Sequence, residues 1–186
     1  MVVNEKGLLK AMKSAAKYGY HVFAEENGIV IFTQKWYVRI AAGKVPRSVL
    51  ALLVEHIGFI PCAGDCMLVS AKEEAQSILR DVMDEEMRRW TFGNAAGEAR
   101  MVPILYKGRQ IFQMDNDRCY AVDPGALGLL TRYAAENGSC VVKDDRRMIW
   151  LGNDSRVILP VVRPEDGDGD DEILSAWDAL ESVSWA

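Results

Sequence analysis

Two stretches of this chain carry the same order of residue types, and that order restricts what it can fold into. Residues 28–58 read GIVIFTQKWYVRIAAGKVPRSVLALLVEHIG and residues 108–138 read GRQIFQMDNDRCYAVDPGALGLLTRYAAENG. Laid together without a gap, Gly28, Ile31, Phe32, Ala41, Leu50 and Gly58 fall on Gly108, Ile111, Phe112, Ala121, Leu130 and Gly138. Val22 also falls on Val102. Each stretch reads as strand, turn, strand, helix and stop. Two unrelated βα units can share this much by chance, so the physical reading of each unit has to stand beside the match.

In the first copy, residues 29–33 and 36–41 are rich in β-branched and aromatic side chains. Gln34 and Lys35 between them leave room only for a tight turn, which predicts a hairpin. Pro46 suits the first position of a helix, and Gly58 can take the left-handed conformation that ends one. A helix over residues 46–57 follows, with Val49, Leu50, Leu53, Val54 and Ile57 as its apolar stripe. In the second copy, Asp123 and Pro124 start a helix that Gly138 stops, with a thinner stripe of Leu127, Leu130 and Ala134.

The flanking segments extend this pattern. Asn4 caps a helix ending near Gly19, with Leu8, Leu9, Met12, Ala15 and Ala16 on one side. Asn27-Gly28 signals a hairpin after the strand at 20–24. Residues 59–61 and 66–69 read as a bent return strand. Ser70 and Glu73 have the spacing of a capping box, which predicts a helix from there to Trp90. Residues 91–100 are small and polar and read as a linker. Short strands are predicted at 101–105, 110–114 and 119–122, then an antiparallel meander at 140–143, 148–151 and 157–162. Pro160 cannot donate to a ladder, which argues for an edge or a bulge there. The fold class is therefore α+β, with antiparallel sheets and about five helices in two related βββαβ-type halves. The halves are residues 1–90 and 101–162, the second a degenerate repeat of 20–70.

Charge is concentrated at one end. The net charge is −5, and eight of the 27 acids but one of the 22 bases lie between Arg163 and Ala186. Residues 163–172, RPEDGDGDDE, have no apolar anchor beyond Pro164 and read as a flexible acidic linker. Residues 173–186 then form an amphipathic helix, with Ile173, Leu174, Trp177 and Leu180 as protein-binding candidates. The longest aliphatic run, 49–54, is far short of the ~20 apolar residues of a membrane span. The first residues lack the apolar core of a secretory signal. The four cysteines need no disulfide framework in a chain this long, and the expected compartment is the cytoplasm.

No constellation of residues satisfies the requirements of a known chemistry. Asp166, Asp168 and Asp170 alternate like the opening of a calcium loop, but Asp171 and Trp177 stand where glycine and glutamate are required. His56, Cys62 and Cys66 are close in sequence, yet no second cysteine pair completes a tetrahedral site, so no metal and no cofactor is expected. The same three residues are the candidates for a thiol-dependent hydrolase, an alternative that needs a histidine beside a cysteine. A second alternative is nucleic-acid binding on a duplicated, saddle-like sheet regulated by the acidic tail. Tyr37, Arg39, Arg88, Arg89, Arg146 and Arg147 are its candidates. The near-neutral body argues against it, because neutralising several phosphates calls for concentrated basic charge. The leading expectation is a non-catalytic interaction or assembly protein. It would bind a protein partner, or itself as a homodimer, through sheet surface and C-terminal helix, with no catalytic residue assigned.

Overall fold

The computed structural model describes residues 1–138, 140–163, 178, 179 and 181–183. The acidic segment beyond Arg163 and the candidates Ile173, Leu174, Trp177 and Leu180 lie outside the described residues. The predicted α+β class holds: the described residues form one antiparallel sheet of 11 strands with five helices.

The first half begins with α1 (Glu5–Ala15) and a meander of β1 (Tyr20–Glu25), β2 (Gly28–Phe32) and β3 (Tyr37–Ala41). Helix α2 (Arg47–Ile57) follows, and β4 (Cys66–Ser70) returns antiparallel to β1, with β5 (Glu73–Ser77) outside it. After α3 (Arg80–Thr91), the second half repeats this scheme. Strands β6 (Ala95–Tyr106), β7 (Arg109–Met114) and β8 (Cys119–Val122) form a meander, and α4 (Pro124–Leu127) and α5 (Arg132–Asn137) follow. Strand β9 (Cys140–Lys143) then returns antiparallel to β6, with β10 (Arg147–Leu151) and β11 (Ser155–Pro160) beyond it. In each half the first meander strand pairs with the strand that follows the helix.

Topology repeats, but the ungapped residue match does not describe it. Ile31 packs with α1 and α2, whereas Ile111 packs with Val102, Cys119 and Ala121 on the opposite face of the sheet. Phe32 lies under α3, while Phe112 lies on the face that α5 covers. Strand side chains alternate with period two, so a one-residue offset between β2 and β7 inverts every side chain. Val22 and Val102 are inverted in the same way.

The halves share one sheet. Strand β3 pairs with β11, Tyr37 opposite Ile158 and Ile40 opposite Ser155, giving the order β5-β4-β1-β2-β3-β11-β10-β9-β6-β7-β8. Pro160 is therefore on an interior strand, but past the last residue that β3 pairs, where no second ladder needs its N–H. Immediately after β11, Val162 exchanges two backbone hydrogen bonds with Ala121 on the outer side of β8, at 3.0 and 3.1 Å. Strand β8 is five places from β11 in the order, so this bridge requires the second half to curl until its two ends meet.

Three expectations are corrected. The Ser70–Glu73 spacing serves a two-residue hairpin: Ser70 pairs with Glu73, and its hydroxyl accepts from the Lys72 N–H at 3.3 Å. A serine bonding its local turn competes with helix capping, and the helix starts at Arg80 instead. Residues 91–100 are the end of α3 and the start of β6, not a linker. The single helix expected over 124–138 is two, capped by Asp123 at Gly125 N and by Thr131 at Ala134 N. Between them, the Leu129 carbonyl accepts from Asn4 N–H at 2.7 Å and Thr131 N–H donates to the Val2 carbonyl at 2.8 Å. The chain's first residues thus use the backbone groups that a continuous helix would have consumed internally. Gly7 on α1 approaches this break so closely that a Cβ there would stand 1.8 Å from the Gly128 carbonyl oxygen.

The main core lies on the face bearing α1, α2 and α5, and a second cluster lies under α3, built on Phe23, Val30, Phe32, Tyr37, Met83 and Trp90 with Ile149 and Ile158. On α2 the buried stripe is Val49, Leu52 and Leu53, rotated from the expected one, with Val54 exposed. No helix among the described residues is long and apolar enough to cross a membrane.

Candidate interaction site

Strand β8 ends the sheet, so its outward N–H groups have no neighbouring strand. Ala121 is satisfied by Val162, as above. Cys119 N–H donates to the carboxylate of Glu181 at 2.8 Å. Glu181 also lies 3.6 Å from the Arg163 guanidinium, whose side chain is 7% exposed. Two residues on, the Val183 carbonyl accepts from Gln113 Nε2 at 2.7 Å, and Gln113 is 1% exposed. The body therefore holds a buried amide and a nearly buried cation at the place where the chain's own last described residues rest. Arg163 further stacks over Tyr120, 5.6 Å from the ring centroid. The Tyr120 hydroxyl donates to Asp145, which also faces Arg118 at 3.5 Å. Burial and the Asp145 hydrogen bond raise the Tyr120 pKa. Burial, with the Glu181 carboxylate adding to it, pushes the Cys119 thiol up to about 11.

Arg163 was expected in the acidic linker and instead belongs to the body. Its position as the one base before an acidic run was the available sequence signal. Gln113 and Cys119 carried none, because a β-strand glutamine and a backbone N–H look alike whether or not something docks on them.

A groove of about 440 Å³ opens where α3 meets the sheet. It is lined by His21, Phe32, Val82, Glu86, Arg89, Trp90, Arg147 and Pro160, among others. The His21 ring stacks on Phe32, with centroids 4.8 Å apart and planes at 15°. Burial lowers the His21 pKa, against the opposing pull of Glu86.

The structure distributes the nucleic-acid candidates. Tyr37 is 2% exposed and tilts against Trp90 under α3, which leaves no ring face for a base. Arg39 is held by Glu25 at 2.7 Å. Arg88 and Arg146 are exposed, and Arg89 pairs with Glu86 at 3.1 Å. Only Arg89 and Arg147 come together, at the groove.

The thiol candidates do not converge. His56 Nδ1 shares a 2.8 Å hydrogen bond with the hydroxyl of buried Tyr20. Cys62 is exposed, and its backbone N–H donates to Asp65. Cys66 is buried, and burial pushes its thiol up, opposite to the shift a nucleophile requires. Among the described residues, no cluster of three or more histidine, cysteine or acidic side chains could hold a metal.

No protein-family model and no curated protein matches the sequence. Among solved structures the chain is similar to the DNA polymerase III β subunit of Thermotoga maritima, at 12% identity and a TM-score of 0.33, over 82% of this chain and 57% of that one. The β chain from Streptococcus pneumoniae TIGR4 gives 8% identity and a TM-score of 0.35, over 92% and 67%. A putative β subunit from Eubacterium rectale gives 12% and 0.34, over 87% and 61%. The chain thus spans less than two thirds of the Thermotoga and Eubacterium chains.

Proposed function

We propose that this protein is a non-catalytic interaction or assembly module, acting in the cytoplasm, that engages a protein partner or a second copy of itself. The curled end of its sheet and its C-terminal segment would be the contacting parts. The observation that carries this reading is the pairing of Glu181 with Cys119 N–H and Arg163, beside Val183 on Gln113. A carboxylate and a carbonyl two residues apart, received by a buried amide, a strand edge and a guanidinium, is the chemistry by which a short peptide is read at a sheet edge. The chain's own segment uses it in cis, and a segment from another molecule would use it in trans. Ile173, Leu174, Trp177 and Leu180 are the apolar side chains such a partner would bury.

Sedimentation velocity of the full chain over a range of concentrations, repeated on Glu181→Lys and on Trp177→Ser, tests this. The expected result is a mass, or a co-purifying partner, that changes with either substitution. A monomer at every concentration, with no partner lost from either variant, would overturn it.

A further inference from the structure

We propose that the partner read at the β8 edge is the end of a helix carrying a glutamate in its last turn, and not an added strand. This rests on the assignment of that edge to partner binding, and it names the chemistry the partner must carry. A strand added to a sheet edge takes the outward backbone groups of its neighbour in succession. Strand β8 has four residues, and of the two that turn their N–H groups outward, Cys119 and Ala121, the second exchanges both its N–H and its carbonyl with Val162. A single N–H faces the incoming segment, which one side chain can use and a ladder cannot.

The chain's own occupant is helical. Ser182 N–H donates to the Asp178 carbonyl at 2.9 Å, the bond of an α-helical turn, and the Ser182 hydroxyl donates to the Ala179 carbonyl at 2.8 Å. Glu181 lies in that turn, and the Val183 carbonyl follows directly after it. The receiving groups are all donors, and the body orients them by itself. Gln113 Nε2, which takes the Val183 carbonyl, also donates to the Asp117 carbonyl at 3.2 Å inside the β7–β8 turn. Arg163 is seated on the Tyr120 ring, and the Cys119 N–H belongs to the strand. Donors set in place beforehand spare a partner part of the ordering cost of binding. The site reads little else of the segment: Asp178, Ala179 and Ser182 are exposed, and Val183 is 43% exposed. What a partner must supply is therefore a carboxylate on a helical turn and a main-chain carbonyl two residues on.

The probe is a synthetic peptide of residues 173–186, titrated into the full chain and into full-length Glu181→Ala while the Cys119 amide and the Gln113 side-chain amide are followed by chemical shift. The peptide should move both groups. It should bind Glu181→Ala roughly tenfold tighter than the wild type, in which the tethered segment competes for the same donors. Glutamine in place of the peptide's glutamate should weaken binding about tenfold, because a charge-assisted contact is lost. A peptide carrying Ser182→Pro lacks the N–H that closes the turn and disfavours helix at the preceding residue, so it should bind about tenfold more weakly too. Equal binding of the glutamine or the proline peptide, tighter binding of the proline peptide, equal affinity for the two proteins, or shifts elsewhere would each overturn the proposal. Failure of the underlying assignment looks different: fast hydrogen exchange at Cys119 in the wild type would remove the contact itself, whereas protected exchange with unselective peptides would sink only the helix-end proposal.

Discussion

Glu181 and Cys119 meet as a carboxylate and a strand-edge N–H at 2.8 Å, across 62 positions of sequence. Replacing Glu181 by alanine removes the carboxylate that this N–H donates to. A buried donor stripped of its partner costs about 1–3 kcal/mol, and that loss should appear as a lower urea midpoint. Hydrogen exchange at the Cys119 amide should accelerate at the same time. Unchanged exchange there would show that the contact does not form in solution.

His21 sets a dependence on mildly acidic pH. Burial lowers its folded pKa from the ordinary value near 6.5, so between the two values the unfolded chain binds more protons than the folded one. Stability present above pH 6.5 is therefore lost as pH falls through the folded pKa. His21→Phe keeps a ring on Phe32 and removes the titration. Its stability should vary less than that of the wild type as pH falls below about 6.5. Parallel curves for the two proteins would refute the assignment.

The four thiols should separate by reactivity. Cys62 is exposed, and Cys66, Cys119 and Cys140 are buried. Burial holds Cys119 at about 11 and Cys140 at about 12, so at neutral pH neither offers a thiolate. A disulfide reagent should titrate one thiol quickly in the native protein and all four after denaturation. A second fast thiol would mean that the strand carrying it, β4, β8 or β9, opens readily. Both raised values also predict stability lost as pH climbs from about 9 through 11 and 12, because the unfolded chain ionises first.

Gly7→Ala should be costly although alanine favours helices. The added methyl would stand 1.8 Å from the Gly128 carbonyl oxygen, and overpacking of this kind costs about 1–3 kcal/mol. The wild-type melting temperature retained in the variant would mean that α1 stands far enough from the helix break to admit a methyl group.

Local patterning made the elements legible. Gln34-Lys35, Asn27-Gly28, Pro46 and Gly58 punctuate the first half where the structure turns, starts and stops, with Gly58 at φ +92. Partner choice was not legible. Ser70 and Glu73 satisfy one spacing rule for a helix and another for a hairpin, and tertiary pairing of β4 with β1 decides between them. Residues 95–100 look like linker because alanine and glycine carry no strand signal, yet β9 pairs with them. Of the candidate site, the acidic tail stood out in the sequence, but its receptor did not, since Gln113, Cys119 and Arg163 acquire their role only when the curled sheet brings them together.

The position of β11 bears on how the protein is made. The last strand of the described chain inserts between β3 and β10, in the middle of the sheet, so a ribosome releases the keystone after everything it must join. Until then the finished β3 has one bare flank, and Ile149 and Ile158 are missing from the cluster under α3. Closure of the sheet should wait until β11 has been made, and it should be slow, because contacts between distant parts of a chain form late.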